Sequence, residues 1–445
     1  MADPGEVASS GRRRRRREEE APRRLLARRA AGFAFALVLT LLLAFNGGGY
    51  DVVIRHQVSL AVWALIALGL GVGVLPRAKL TPACWFALGG FGALAGLTLL
   101  SHIWSESDER TTEELARVLE YMGLVVLAYL ALNRYTWRGA AMGFATAAMV
   151  VPFFAVGARL FPDLLTDHVA AQFGIDRLSY PLDYWNGVAC WGAMAAAIGL
   201  VLGANSSRSL IRAGALATVP VAVLSVYLTY SRFGVAAMVV AAIAAVAISR
   251  HRWTAAATGL VAAAGSGLAI LVAHSHDQIA HATGNAGAAG VALVLIAAGL
   301  LCAGAAVATF RAGVDKVRMD AGSARVALVA SIVGALLVAA ALHGPLNRAW
   351  HQFKNDKPPS GSNETGRLTT LGGTRYQVWT TAIDAFDSEP WRGIGPGAFE
   401  FYWDRHGNGQ EFVRDAHSLY MQEAAELGIP GVIALLVALG GLLWA

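Results

Sequence analysis

Three side chains in this sequence combine a useful chemistry with a suggestive placement: Arg232 in LTYSRFG, Arg375 in GGTRYQVW and His417 in DAHSLYMQ. A guanidinium is a planar fork that grips phosphate oxygens and keeps its charge at any working pH. A neutral imidazole is a general base. Each residue also has a plainer reading. Arg232, in a tight turn between two apolar runs, could be a cation snorkelling to a membrane surface. Arg375, in the first turn of an expected helix, could be a solvated charge or an ion-pair partner of Asp384 or Asp387. A cation there opposes the helix dipole, unless an anion binds at that N-terminus and draws both the free N–H groups and the arginine toward it. His417 precedes the last apolar run, with Asp415 as an expected cap. A helix N-terminus and neighbouring arginines would both disfavour its protonated form, although a single histidine is more often a hydrogen-bonded loop residue.

Other candidates carry less. His274, His276 and His281 in HSHDQIAH have metal-like spacing but sit in a short loop. Arg117 and Glu120 stand three apart and are expected to pair. Glu423 and Glu426 share a helical face and could line a cavity or orient His417. The three cysteines, Cys84, Cys190 and Cys302, all fall in apolar runs and read as small packing residues rather than as a disulfide or metal framework.

The elements that position these groups are membrane helices. The chain is 56% hydrophobic and only 15% charged, and it supplies about twelve apolar runs of the ~20 residues that a bilayer crossing needs. The expected fold is all-α and integral to a membrane. Helices are expected near 31–45, 58–75, 81–100, 115–132, 139–161, 187–204, 212–229, 233–249, 254–273, 287–310, 325–342 and 418–444. The formal charge of +6 does not imply nucleic-acid binding, because arginines 12–17 crowd just before the first apolar run, which is the signature of a cytoplasmic N-terminus. No small-residue cleavage site follows that run. Alternate loops then carry Arg77 and Lys79, Arg134 and Arg138, Arg208 and Arg212, Arg250 and Arg252, and Arg311 through Arg325. This pattern puts 162–186, the TYSRF turn and 343–417 together on the extracytoplasmic face.

Four parts follow: a basic tail over 1–30, a polytopic domain over 31–342, an extracytoplasmic loop over 343–417, and a final helix over 418–445. The loop is too long to be structureless in a compact protein. Gly344–Gly366 is rich in breakers. Thr374 is expected to cap a helix that runs to about Ser388, stops before Pro390 and carries an apolar stripe of Val378, Trp379, Ile383 and Phe386. FEFYW offers aromatic rings either to the lipid headgroup level or to a sugar.

HSLYMQEAAELGIPG resembles the histidine motif of the O-antigen ligase and polymerase superfamily: a His, then Asn, Ser or Gln, then nine residues, Gly, two residues, Gly. Here these are His417, Ser418, Gly428 and Gly431. LTYSRFG resembles that superfamily's Ser-Arg turn, GGTRYQVW…EPWRGIGPGAFEFYW its loop signature, and RLSYPLDYWNGVA a segment of actinobacterial members. The resemblance implies a GT-C-type membrane glycosyltransferase, independent of metal or other cofactor and inverting, that uses a glycan on undecaprenyl pyrophosphate. It further implies that His417 activates the acceptor hydroxyl, that Arg232 and Arg375 bind the pyrophosphate, and that Arg177, Tyr184, Trp185 and Glu426 contact substrate. Cations placed where leaving-group charge develops fit that chemistry. The acceptor could be a glycan, a polymer or a protein. A polymerase of lipid-linked repeats shares the chemistry. A bicarbonate or solute transporter is the third reading, disfavoured by apolar helices with few charges in their interiors. The chain ends straight after its last apolar run, where many relatives continue, so a shorter member or a truncated chain is expected.

Overall fold

The structure is a computed structural model. It describes residues 25–75, 80–133, 135–314, 350, 351, 353, 354, 375–407 and 412–445. The described residues form an all-helical, multi-pass membrane protein. Helix α1 spans Leu25–Ala44. Then come α2 (Val52–Gly71), α3 (Pro82–Leu100), α4 (Asp108–Ala131), α5 (Trp137–Leu160), α6 (His168–Phe173) and α7 (Trp185–Asn205). Next are α8 (Ser209–Ala217), α9 (Val219–Leu228), α10 (Arg232–Ile248), α11 (Arg252–His274), α12 (Asp277–Ala280) and α13 (Ala288–Arg311). The chain closes with α14 (Arg375–Ser388), α15 (Phe399–His406) and α16 (Leu419–Trp444).

Among the described residues nine helices are long and apolar enough to cross a membrane, with α8 and α9 counted as one span. Helix α10 is apolar but shorter, at 17 residues. Helix α4 starts with DERTTEE and is amphipathic rather than uniformly apolar. The expected helix near 325–342, the expected cap Thr374, the segment Gly344–Gly366 and most of the basic tail lie outside the described residues. The tail's last part is helical: α1 begins at Leu25, ahead of Arg28 and Arg29, so the first helix starts earlier than hydropathy suggests.

Small residues let these helices approach closely, as expected where lipid gives no hydrophobic drive between them. A Cβ on Gly90 would meet the Ala438 backbone at 2.3 Å, and one on Gly441 would meet that of Ala87 at 2.3 Å, so α3 and α16 pack backbone to backbone. Helices α7 and α10 meet the same way at Gly234, where a Cβ would lie 2.4 Å from that of Ala189.

One end of the helices gathers the α1–α2 turn, residues 161–184, the 229–231 turn, α12 and the described part of the long polar segment. Phe45 packs edge-on against Tyr180 at 6.2 Å. The Tyr230 hydroxyl donates to the Ala280 carbonyl at 2.7 Å. Arg159, 4% exposed, donates to the carbonyls of Ile279, Ala280 and Asp176. Arg405 grips Glu106 through both terminal nitrogens, at 2.6 and 2.7 Å.

Helix α16 is interrupted. Gly428 takes φ 63°, ψ −160° inside it, and Pro430 has no N–H to offer the Glu426 carbonyl. The freed groups are taken by the loop between α14 and α15. Ile394 N–H donates to the Ala425 carbonyl at 2.9 Å, Gly395 N–H to the Glu426 carbonyl at 3.0 Å, and Ile429 N–H to the Pro390 carbonyl at 2.9 Å. A Cβ on Gly393 (φ +68°) would fall 2.2 Å from the Glu426 backbone, and one on Gly428 would fall 2.6 Å from the Pro390 oxygen. Neither position accepts a side chain. Around this joint Val378, Ala382, Ala385, Phe399, Trp403 and Ala425 form a buried cluster, and Arg110 ties α15 to α4 through Glu400 at 2.6 Å. Gly393→Ala or Gly428→Ala should therefore destabilise the protein by more than about 2 kcal/mol, through positive-φ strain and overpacking together. A fall in melting temperature or in monodisperse yield in detergent checks this.

Candidate functional site

Arg232 opens α10. Its turn is fixed from three sides. The Ser231 hydroxyl, 3% exposed, caps the helix by accepting from Gly234 N–H at 3.2 Å and donates to Asn186 Oδ1 at 2.7 Å. Tyr230, 1% exposed and at φ 48°, is held through its hydroxyl as described above. Arg177 donates Nε–H to the Thr229 carbonyl at 2.9 Å and lies over the Trp185 ring at 4.5 Å. Asp167 folds the segment that presents Arg177, accepting from the N–H groups of Ala170, Ser179 and Tyr180. Tyr184 stands next to Trp185, its hydroxyl accepting from Asn186 Nδ2 at 3.0 Å.

Arg375 opens α14, and its guanidinium lies over the ring of Phe233, the residue after Arg232, at 4.9 Å. It is also close enough to His417 to act on it. Partial desolvation, then the Arg375 charge, hold the imidazole below its ordinary pKa of 6.5, against an opposing pull from Asp415. The ring nevertheless keeps an exposed face. Arg375 thus lies against the residue that follows Arg232 and within electrostatic reach of His417, which brings three segments remote in sequence to one end of the protein. Asp415 does not cap α16; Ser418 is the N-cap residue and its side chain makes no cap bond.

His417 has a positive φ of 54°, a conformation that a non-glycine residue holds only when its surroundings fix it. The fixing groups act on the preceding peptide. Ala416 N–H donates to Gln422 Oε1 at 2.6 Å, and its carbonyl accepts from Trp379 Nε1 at 3.1 Å. Gln422 in turn donates to Glu426 Oε1 at 2.8 Å, and the same oxygen accepts from Phe399 N–H at 3.2 Å. Glu426, expected to touch substrate, is 3% exposed and fully engaged in this scaffold, because it must satisfy the start of α15 inside a packed core. The sequence reading missed Gln422 and took Trp379 only as part of a packing stripe. The i, i+4 spacing of Arg375 and Trp379 on an expected helix was the available signal.

Other expectations change. Arg117 pairs with Glu114, one turn back, rather than with Glu120. The histidines of HSHDQIAH point to separate partners: His274 to Tyr227, His276 to the Val272 carbonyl and His281 to Asp176. Among the described residues no group of His, Cys, Asp and Glu is arranged to hold a metal ion. Tyr50, between α1 and α2, joins the site's margin; burial and then the Asp415 carboxylate push its phenol above the ordinary value.

Residues 282–436 match the model of the family described as O-antigen ligase. The match covers about a third of the chain. It supports the resemblance to the O-antigen ligase and polymerase superfamily and, with it, a ligase- or polymerase-type membrane enzyme. Arg375, Trp379, His417, Gln422 and Glu426 lie inside the matched segment, whereas Arg232, Arg177, Tyr184 and Trp185 lie outside it. No curated protein matches the chain. Trp379→Phe keeps the packing but leaves the Ala416 carbonyl without its donor. It should cost about 1 kcal/mol of stability and lower turnover by releasing His417, read from thermal unfolding and steady-state rates.

Proposed function

We propose that the protein transfers a glycan from undecaprenyl pyrophosphate to an acceptor hydroxyl on the extracytoplasmic face of the bacterial cytoplasmic membrane. The observation that carries this reading is the position of Arg375, seated over the neighbour of Arg232 and acting on His417. His417 takes the proton of the acceptor hydroxyl. The acceptor oxygen attacks the anomeric carbon from the face opposite the leaving group, so the bond to pyrophosphate breaks with inversion. Arg232 and Arg375 meet the charge that develops on the departing diphosphate, in the role a metal ion plays elsewhere. Arg177, Tyr184 and Trp185 flank the turn that carries Arg232 and contact donor or acceptor. Charge supports the orientation: Arg138, Arg208, Arg250 and Arg252 belong to the opposite end of the helices, as expected of cytoplasmic loops.

A base must be unprotonated, and a lowered pKa keeps His417 neutral to more acidic pH than an ordinary histidine. The rate should therefore stay level through neutral pH and fall only below 6.5, read from a pH–rate profile of purified enzyme. His417→Ala should abolish transfer in a protein that still inserts and folds. Arg232→Lys and Arg375→Lys should each cost about 10²-fold or more in rate, because an ammonium cannot reproduce the two-pronged grip. EDTA should leave the rate unchanged. Mass spectrometry of the product, separating glycan on a new acceptor from chains still on the lipid diphosphate, tells ligase from polymerase; a fully active His417→Ala or a strict metal requirement would overturn the mechanism.

A further inference from the structure

A cleft of about 220 Å³ opens beside the loop between α14 and α15 that joins the break in α16. Trp104 and Tyr402 line it together with Gly393 and Ile394, and the lining residues Glu106, Arg405, Glu389 and Arg392 bring charge. The charges are matched. Arg405 meets Glu106 with two hydrogen bonds of 2.6 and 2.7 Å, and Arg392 meets Glu389 with two of 3.0 and 2.7 Å. Arg405 holds the Glu106 carboxyl below its usual range, so that pair stays ionised.

A cleft lined this way suits one kind of ligand. Each guanidinium has N–H groups beyond those used in its pair, and each carboxylate has lone pairs to spare. The wall therefore offers fixed donors beside fixed acceptors with no net charge, which complements hydroxyl groups that donate and accept at once. A phosphate would have to displace a carboxylate from its arginine. The aromatic side chains supply apolar surface with a polar edge, which sugar faces share.

Position sets what the ligand must be. Glu389 follows the 14-residue α14 that begins at Arg375, so at about 1.5 Å per residue the cleft lies roughly 20 Å along the helix from the guanidinium. That is too far for the diphosphate or the first sugar. We infer that this cleft is a second, glycan-binding subsite that holds a neutral oligosaccharide segment several sugars from the reacting bond. The choice of ligand rests on the glycan-transfer reading. The hydrogen bonds from Ile394 and Gly395 fix the cleft to the same break in α16 that follows His417, so the two sites share one base.

The test uses the intact chain in lipid nanodiscs. The probe is the glycan released by mild acid from the source cells' own lipid-linked donor, followed by saturation-transfer difference NMR. Wild type and His417→Ala should both bind it, while Arg392→Met and Tyr402→Ala should bind roughly tenfold more weakly. Tyr402 packs against a buried cluster, so the exposed Arg392→Met carries the result if Tyr402→Ala does not fold. In turnover, Arg392→Met should raise KM for a long glycan, leave kcat unchanged, and leave a donor or acceptor cut to one sugar unaffected; which truncation removes the effect tells donor from acceptor. No binding to wild type, equal binding by all variants, or an equal KM effect on the one-sugar substrates overturns the subsite. If transfer fails while the binding contrast holds, the transfer mechanism falls and the glycan subsite stands.

Discussion

The structure depends on what happens to three backbone groups at the break in α16. A peptide buried among membrane helices has no water to satisfy it, so each N–H and C=O must find a partner within the protein. Gly428 turns the chain and Pro430 withholds a donor, which leaves the Ala425 and Glu426 carbonyls and the Ile429 N–H without their usual helical partners. The loop after α14 supplies all three. The exchange works in both directions: the helix is completed by the loop, and the loop acquires a fixed position from the helix. Because His417 lies just ahead of that helix and Arg375 at the far end of α14, the same three bonds help to set how the imidazole and the guanidinium face one another.

Around this joint the polar side chains act mainly on backbone rather than on one another. Gln422 and Trp379 hold the two sides of the Ala416 peptide, Glu426 holds the start of α15, and Tyr230 and Arg159 reach carbonyls of α12. Buried polar groups left unmatched would cost about 1–3 kcal/mol each, so these contacts also explain why two non-glycine residues at the site, Tyr230 and His417, remain at positive φ. The fold accepts strain where a reactive group must be presented and offsets it with hydrogen bonds one residue away.

Much of the architecture was legible because hydropathy measures the same quantity that a bilayer selects. Within the described residues the apolar runs became helices, but of the expected stripe on α14 only Val378 is buried: Ile383 is exposed, and the buried face runs through Thr381, Ala382 and Ala385, because small residues let α14 pack closely. The convergence of Arg232, Arg375 and His417 at one end followed from loop charge and chain order. Three features were not legible. The break in α16 hides inside an apolar run, where a hydropathy window reads straight through Gly428 and Pro430. Arg117 had a carboxylate one turn away on either side, and spacing alone could not choose Glu114 over Glu120. The hold on His417 passes through the peptide of Ala416, whose methyl side chain gives no sign that its neighbouring atoms are gripped by two remote residues.

Arg375 and Trp379 stand one helical turn apart on α14, and through Trp379 the helix also grips the residue before His417. The spacing between the guanidinium and the imidazole is therefore set by the pitch of an α-helix rather than by a loop. A roll of α14 about its own axis would carry the guanidinium away and release the Ala416 carbonyl in the same movement, so a single rigid helix couples the two groups.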